Sequence, residues 1–162
     1  MTIRIVEDAS DDTYVLTIHD ITLTPSHPRL GHLLRWHMAG RLEETVDLTQ
    51  VTCTVTIKIG PVRLLHTTHR LPDLLTLMGT TLHGDPRPPA GPWQQTWDLH
   101  VPDTVPVARH RIHLRARTTD GKNFLALNIP LDFSHRYHPT THFNTHPHHD
   151  HPRTDRELSQ TR

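Results

Sequence analysis

Apolar and polar residues alternate along most of this chain, and the phase of the alternation resets at turn residues. The stretch 14–25, YVLTIHDITLTP, is rich in Thr, Ile, Val and Leu and stops at Pro25, which predicts a strand. HPRLG at 27–31 reads as a turn. In LLRWHMAGRL, residues 33–42, Leu34, Trp36 and Met38 fall on one side and Arg35 and His37 on the other. The cleanest period of two lies in VTCTVTIKIG, residues 51–60. There Val51, Cys53, Val55, Ile57 and Ile59 alternate with Thr52, Thr54, Thr56 and Lys58 until Gly60-Pro61 breaks the run. Further strands are expected at 62–71 and at 95–101, the latter with Trp97, Leu99 and Val101 on one side.

Only PDLLTLMGTTL, residues 72–82, suits a helix. Pro72 fits a first helical turn, Asp73 complements the helix dipole there, and Gly79 can end it. The segment 83–92 carries four prolines and two glycines and predicts a loop. A proline-bearing bend at 102–108 leads into RIHLRARTTDGKNFLALNIPLDF, residues 111–133. A two-residue type I′ turn at Asp120-Gly121 pairs Ala116 with Leu125, Leu114 with Leu127 and Ile112 with Ile129. Those apolar residues then share one face, as a half-buried pair requires, while Arg111, His113, Arg115 and Arg117 face water. Seven or eight short strands with almost no helix predict an all-β, immunoglobulin-like two-sheet β-sandwich over 14–134. A short N-terminal leader, 1–13, has room for one strand at 2–6. The polar segment 135–162, rich in His, Thr, Arg and Pro, has too little apolar surface to offset its ordering entropy and is expected to be disordered.

Charge narrows the functional classes. The chain has 162 residues and a formal net charge of zero, so no global field recruits nucleic acid or membrane. Arg111, His113, Arg115 and Arg117 form a basic stripe, but aromatic interleaving there is poor; a solvated sheet face is the plainer reading, and no nucleic-acid partner is expected. Cys53 is the only cysteine, so no intrachain disulfide forms. It sits mid-strand among valines and reads as a small buried hydrophobe. The first residues turn acidic early and carry no apolar core of a signal peptide, and no run approaches a membrane span. With the absence of disulfides, this favours the cytoplasm; a monomer is expected, though no residue pattern specifies the oligomeric state.

Catalytic patterns are missing. No serine lies in Gly-x-Ser-x-Gly, and there is no His-Glu-x-x-His, phosphate loop or paired-carboxylate pattern, so an enzyme is not expected. His66 and His69 are three apart on a strand, which puts them on opposite faces and reads as surface histidines. The chain has 17 histidines, seven of them after residue 134. His142, His146, His148, His149 and His151 could together chelate zinc, nickel or copper adventitiously, because imidazole is a borderline ligand; they lack the fixed spacing of a structural site. No resident cofactor is expected.

Three stretches taken in order resemble a known family: ITLTPSHPRLGHLLRWHMAGRL (21–42), TVTIKIGPVRLLHTTHRLPDLL (54–75) and TDGKNFLALNIPLDF (119–133). They are similar to ML (MD-2-related lipid-recognition) domains, and most to the NPC2-type sterol carriers and phosphatidylglycerol/phosphatidylinositol transfer proteins. The resemblance implies a sandwich whose sheets stand slightly apart around an apolar cavity for a sterol, an acyl chain or a phospholipid, with transient membrane contact. It implies cavity positions at Leu34, Trp36, Met38, Val55, Ile57, Leu64, Trp97, Leu99, Val101, Ile112, Leu114, Leu125, Leu127 and Ile129. Family members usually carry disulfides and a secretion signal; here Pro72 and Ala126 stand where cysteines would be expected. Secretion by analogy is therefore the alternative to the cytoplasm. Two other functional readings stay open: a fully packed immunoglobulin-like interaction module binding a protein through loops such as 83–92, and a metal-binding protein acting through its His-rich tail.

Overall fold

The computed structural model describes residues 6–134. In chain order the strands are β1 (Glu7–Asp8), β2 (Leu16–Thr24), β3 (Leu33–Leu42), β4 (Thr52–Ile59), β5 (Val62–Arg70), β6 (Gly91–His100), β7 (Arg109–Arg117) and β8 (Asn123–Asp132). A 3₁₀ turn (Leu48–Gln50) precedes β4, and one helix, α1 (Leu71–Leu77), links β5 to β6. Two antiparallel sheets form an immunoglobulin-like sandwich. One has five strands in the order β1-β8-β7-β4-β5, the other three in the order β2-β3-β6.

The period-two alternation becomes rows of side chains across each sheet, because paired residues share a face. On the larger sheet Ile129, Ile112 and Ile57 form one row, Leu127, Leu114 and Val55 the next, and Leu125, Ala116 and Cys53 a third. On the smaller sheet Leu23, Trp36 and Trp97 lie abreast, beside the pair Leu34 and Leu99. The rows of the two sheets face each other and make the core.

The β7–β8 hairpin has the expected register, with Ala116 opposite Leu125 and Ile112 opposite Ile129. Its turn differs. Asp120 does not adopt the positive φ that type I′ demands; among the described residues only glycines do, Gly121 at 78° among them. Gly121 N–H donates to the Thr118 carbonyl (3.0 Å) and Thr118 N–H to the Lys122 carbonyl (2.9 Å), which closes a three-residue loop. That loop shifts the pairing by one residue, and a bulge beside Ala116 and Arg117 shifts it back. Phe124 is the extra residue, and it is buried. Its ring meets Trp93 edge to face, centroids 6.2 Å apart.

Part of the expected leader belongs to the sandwich. Glu7 and Asp8 pair with β8, Val6 is buried, and Ala9 N–H donates to the Ala126 carbonyl at 2.9 Å. Residues 2–5 and the whole His-rich segment 135–162 lie outside the described residues. Helix α1 carries Pro72 and Asp73 in its first turn and is followed by Gly79 at φ 79°. It bridges towards both sheets: Leu71 N–H donates to the carbonyl of Val51, the residue before β4 (2.8 Å), and His100 N–H of β6 donates to the Met78 carbonyl (2.9 Å).

Candidate functional site

Between the facing rows lies a cavity of about 190 Å³ whose lining surface is wholly apolar. Every long strand except β5 contributes to its wall. Of the cavity positions expected from sequence, β3 places Leu34, Trp36 and Met38 there, β4 Val55 and Ile57, and β6 Trp97 and Leu99. From β7 come Ile112 and Leu114, and from β8 Leu125, Leu127 and Ile129.

Two expected positions lie elsewhere. Leu64 is 46% exposed. The β4–β5 pairing slips between Ile57 and Lys58, so that Leu65, and not Leu64, stands opposite Ile57. Leu64 is the unpaired residue of that bulge, and β5 is the outermost strand of its sheet. Val101 is buried but lies past the end of β6, where its backbone bonds to Gly31 (2.8 Å) and His32 (3.0 Å); it packs in the core away from the cavity.

Other lining residues escaped the sequence reading. Helix α1 and its C-terminal cap add Leu71, Leu74, Leu75 and Met78, which cover one flank of the cavity. Their spacing is the i, i+3, i+4, i+7 stripe of a helix with one buried face, so the signal was present. Val51, Cys53, Ala116 and Leu131 follow from the same alternation that marks their neighbours. Trp93 shares a face with Trp97 but hides behind Pro92, at the start of β6. The bulge conceals Phe124, and Leu23 completes the lining.

Among the described residues, no charged side chain and no histidine lines the cavity. Cys53 is a free, buried thiol, and desolvation pushes its pKa up to about 12, so it is protonated and unreactive at neutral pH. Three buried polar atoms stand out: the indole Nε1 atoms of Trp36, Trp93 and Trp97 have no hydrogen-bond partner among the described residues.

Most polar chemistry lies outside the cavity; the buried Gln95 and His110 bond to the carbonyls of His83 (3.1 Å) and Pro106 (2.8 Å). Arg111, Arg115 and Arg117 are exposed on the face of the sheet away from the cavity. The Arg115 guanidinium donates to the carbonyls of Leu114 and Leu127, both at 2.9 Å, and to Asn128 Oδ1 at 3.1 Å. His113 is half-buried and lies 2.8 Å from the same Oδ1. His66 is exposed and hydrogen-bonds with Thr56 at 2.8 Å, while His69 hydrogen-bonds with Thr67 at 2.9 Å. Among the described residues no group of His, Cys, Asp and Glu is placed to hold a metal; His142, His146, His148, His149 and His151 lie outside them. No helix among the described residues is long and apolar enough to cross a membrane.

The chain is thus a two-layer β-sandwich with a hollow, apolar interior, an architecture suited to enclosing a greasy guest. No family model matches it. Over 114 residues it is 28% identical to a phosphatidylglycerol/phosphatidylinositol transfer protein of Emericella nidulans; the alignment covers 70% of this chain and 64% of that protein, less than two thirds of its length. The fold is that of a Niemann-Pick type C2 protein from Japanese carpenter ant, with a TM-score of 0.56, 14% identity, and coverage of 79% of this chain and 98% of that one. The sequence likeness together with the shared fold supports the ML-domain lipid-recognition family.

Proposed function

We propose that this protein is a non-enzymatic lipid carrier that holds a sterol, an acyl chain or a phospholipid chain between its sheets. The single observation that carries this reading is the wholly apolar cavity of about 190 Å³. A fully packed interaction module has no such void, because protein interiors are close-packed and large voids cost stability. Such a site needs no catalytic group. Each methylene transferred from water contributes about 0.8 kcal/mol, so a chain of ~14 carbons gains on the order of 10 kcal/mol before ordering costs.

Size adds a requirement. The cavity exceeds the ~150 Å³ that accepts a benzene-sized guest and falls short of the ~300 Å³ at which drug-sized pockets begin. As it stands it admits a slender segment of chain; a whole sterol requires the sheets to part. Transient contact with an anionic bilayer belongs to the same reading, since Val62, Leu64 and Leu65 are exposed near Lys58 and Arg63 on the β4–β5 hairpin. The reading also favours secretion over the cytoplasm, in line with the export signals of the family the sequence resembles.

The test is direct. Purify the full chain without detergent, extract it with organic solvent and identify co-purified lipids by mass spectrometry. Then displace a fluorescent fatty acid from the stripped protein. Co-purified lipid and competitive displacement are expected; absence of both ends the proposal.

A further inference from the structure

We propose that the guest carries a neutral hydrogen-bond acceptor into the sandwich along with its apolar body, and that the indole N–H groups of Trp36 and Trp97 receive it. The inference rests on the lipid-carrier reading and narrows its ligand class to neutral amphiphiles bound with an oxygen deep inside, such as chain esters or ketones.

The site holds one kind of polar irregularity, its indole N–H groups. All three tryptophans of the chain line the cavity, and each buries an Nε1 with no partner among the described residues. Buried donors without acceptors are rare in native proteins and call for an explanation. A purely hydrocarbon-binding wall would be served better by Phe or Leu, which add apolar surface and no donor. Trp36 and Trp97 are directly paired across β3 and β6, so the two side chains start from one level of the smaller sheet. Trp93 lies four residues along β6, roughly 13 Å away at strand rise, and its ring is engaged edge to face with Phe124. The paired indoles are therefore the stronger candidates.

Ordered water is a poor substitute. A buried water needs two to four polar partners, and a water inside the cavity would meet a wholly apolar lining surface. The charge of the acceptor also follows. Among the described residues no Arg, Lys or His lines the cavity, so a carboxylate or phosphate drawn inside would be desolvated with none of them to compensate its charge. An anionic head stays at the rim; an ester or ketone oxygen can enter. In the unliganded packing the Nε1 atoms are sealed off, so they meet the guest as the cavity widens around it.

The experiment uses the full chain labelled with ¹⁵N. With three tryptophans it gives three indole N–H cross-peaks, assigned through Trp36→Phe and Trp97→Phe, which keep an aromatic ring and remove the donor. The probes are a long-chain methyl ester and the alkane of equal heavy-atom count, delivered from cyclodextrin. The ester is expected to move the Trp36 or Trp97 indole proton downfield, and the alkane to perturb cavity methyl groups without that shift. Ester affinity is expected to fall about tenfold in the double Trp→Phe variant, the size of one lost hydrogen bond, with alkane affinity unchanged. Binding of both probes without an indole shift, or with equal losses in the variant, overturns the inference and leaves the carrier reading standing. Indole protons already downfield in lipid-free protein overturn it too, since the donors are then satisfied from within. No perturbation by either probe sinks the carrier reading itself.

Discussion

β5 and β6 are both outermost strands, both reach the helix α1 at one end, and both carry apolar residues, yet they end in opposite states. Along β6 burial alternates without a break, with Trp93, Gln95, Trp97 and Leu99 inside. Along β5 no residue is fully buried, and Val62, Leu64 and Leu65 are exposed. The difference is one of cover. Strands lie about 4.8 Å apart, so four long strands on one layer are wider than three on the other. β6 belongs to the narrower layer and finds a partner beneath its whole inner face. β5 belongs to the wider one and overhangs. Apolar side chains on a strand are a request for burial, and the number of strands in the opposite sheet decides whether the request is met.

The largest effect that tests this contrast is truncation. Trp97→Ala on β6 is expected to cost about 3–5 kcal/mol, as large-to-small changes in a core do. Leu65→Ala on β5 is expected to stay within about 0.5 kcal/mol, the range of surface substitutions. Urea unfolding of both variants measures it. Comparable losses would show that β5 is covered in solution, by a second copy or a partner.

A medium effect separates two glycines, one within β3 and one in the β4–β5 turn. Gly40 on β3 lies where β2 bulges between Ile18 and Asp20, and a Cβ there would sit 2.2 Å from the Thr17 carbonyl oxygen. That neighbour is backbone, so Gly40→Ala must push β2 outward, at about 1–3 kcal/mol. Gly60, in the β4–β5 turn, has open space around it and φ 54°. Gly60→Ala is expected to cost about 1–2 kcal/mol through the left-handed backbone alone. The two are told apart by NMR: Gly40→Ala moves β2 amide resonances along the strand, while Gly60→Ala perturbs only its own turn.

The strands themselves were legible because alternation is a property of the chain. β4 and the β7–β8 register follow from counting in twos, and most of the cavity wall follows with them. What the count could not see are events that change phase without changing composition. The bulge at Leu64 turned an inward position outward, and the bulge beside Arg117 brought Phe124 into the wall. Nor does a strand reveal how wide the opposite layer is, which is why β5 read the same as β6. β1 is two residues long and has no period to detect. The void itself is a distance between layers, and only the family resemblance pointed to it.

Filling that void should leave stability almost untouched while changing function. Ala116 is buried, small and on the cavity wall, next to Cys53 across the β4–β7 pairing. In a packed core Ala116→Leu would cost about 1–3 kcal/mol through overpacking. Against empty space the added carbons gain contacts, so unfolding free energy is expected to hold or to rise by about 1 kcal/mol. Displacement of a fluorescent fatty acid should weaken at least ~10-fold, since the guest and the new side chain compete for one volume. A loss of stability with unchanged displacement would mean that the layers interlock at this point and that the guest sits elsewhere.

The smallest effect lies on the outer face of the narrow sheet, where Arg35 on β3 and Asp98 on β6 form an ion pair at 2.9 Å. The hydrogen bond from Arg35, aided by its charge, lowers the Asp98 carboxyl pKa below its ordinary value. A depressed carboxylate contributes stability that is fully present above the unfolded pKa of about 3.9 and is lost as pH falls through the folded value. The pair is solvent-exposed and screened by salt, so its contribution is minor beside any core contact. Asp98→Asn should therefore lower the urea midpoint slightly at pH 7 and low ionic strength, and less in high salt. The gap between variant and parent should close at strongly acid pH, where Asp98 is itself neutral. A gap that persists there would have to come from packing or from the amide's own hydrogen bonds. The sandwich would then be held at its polar skin as well as by the apolar rows inside it, and β6 would owe its order to more than the layer beneath it.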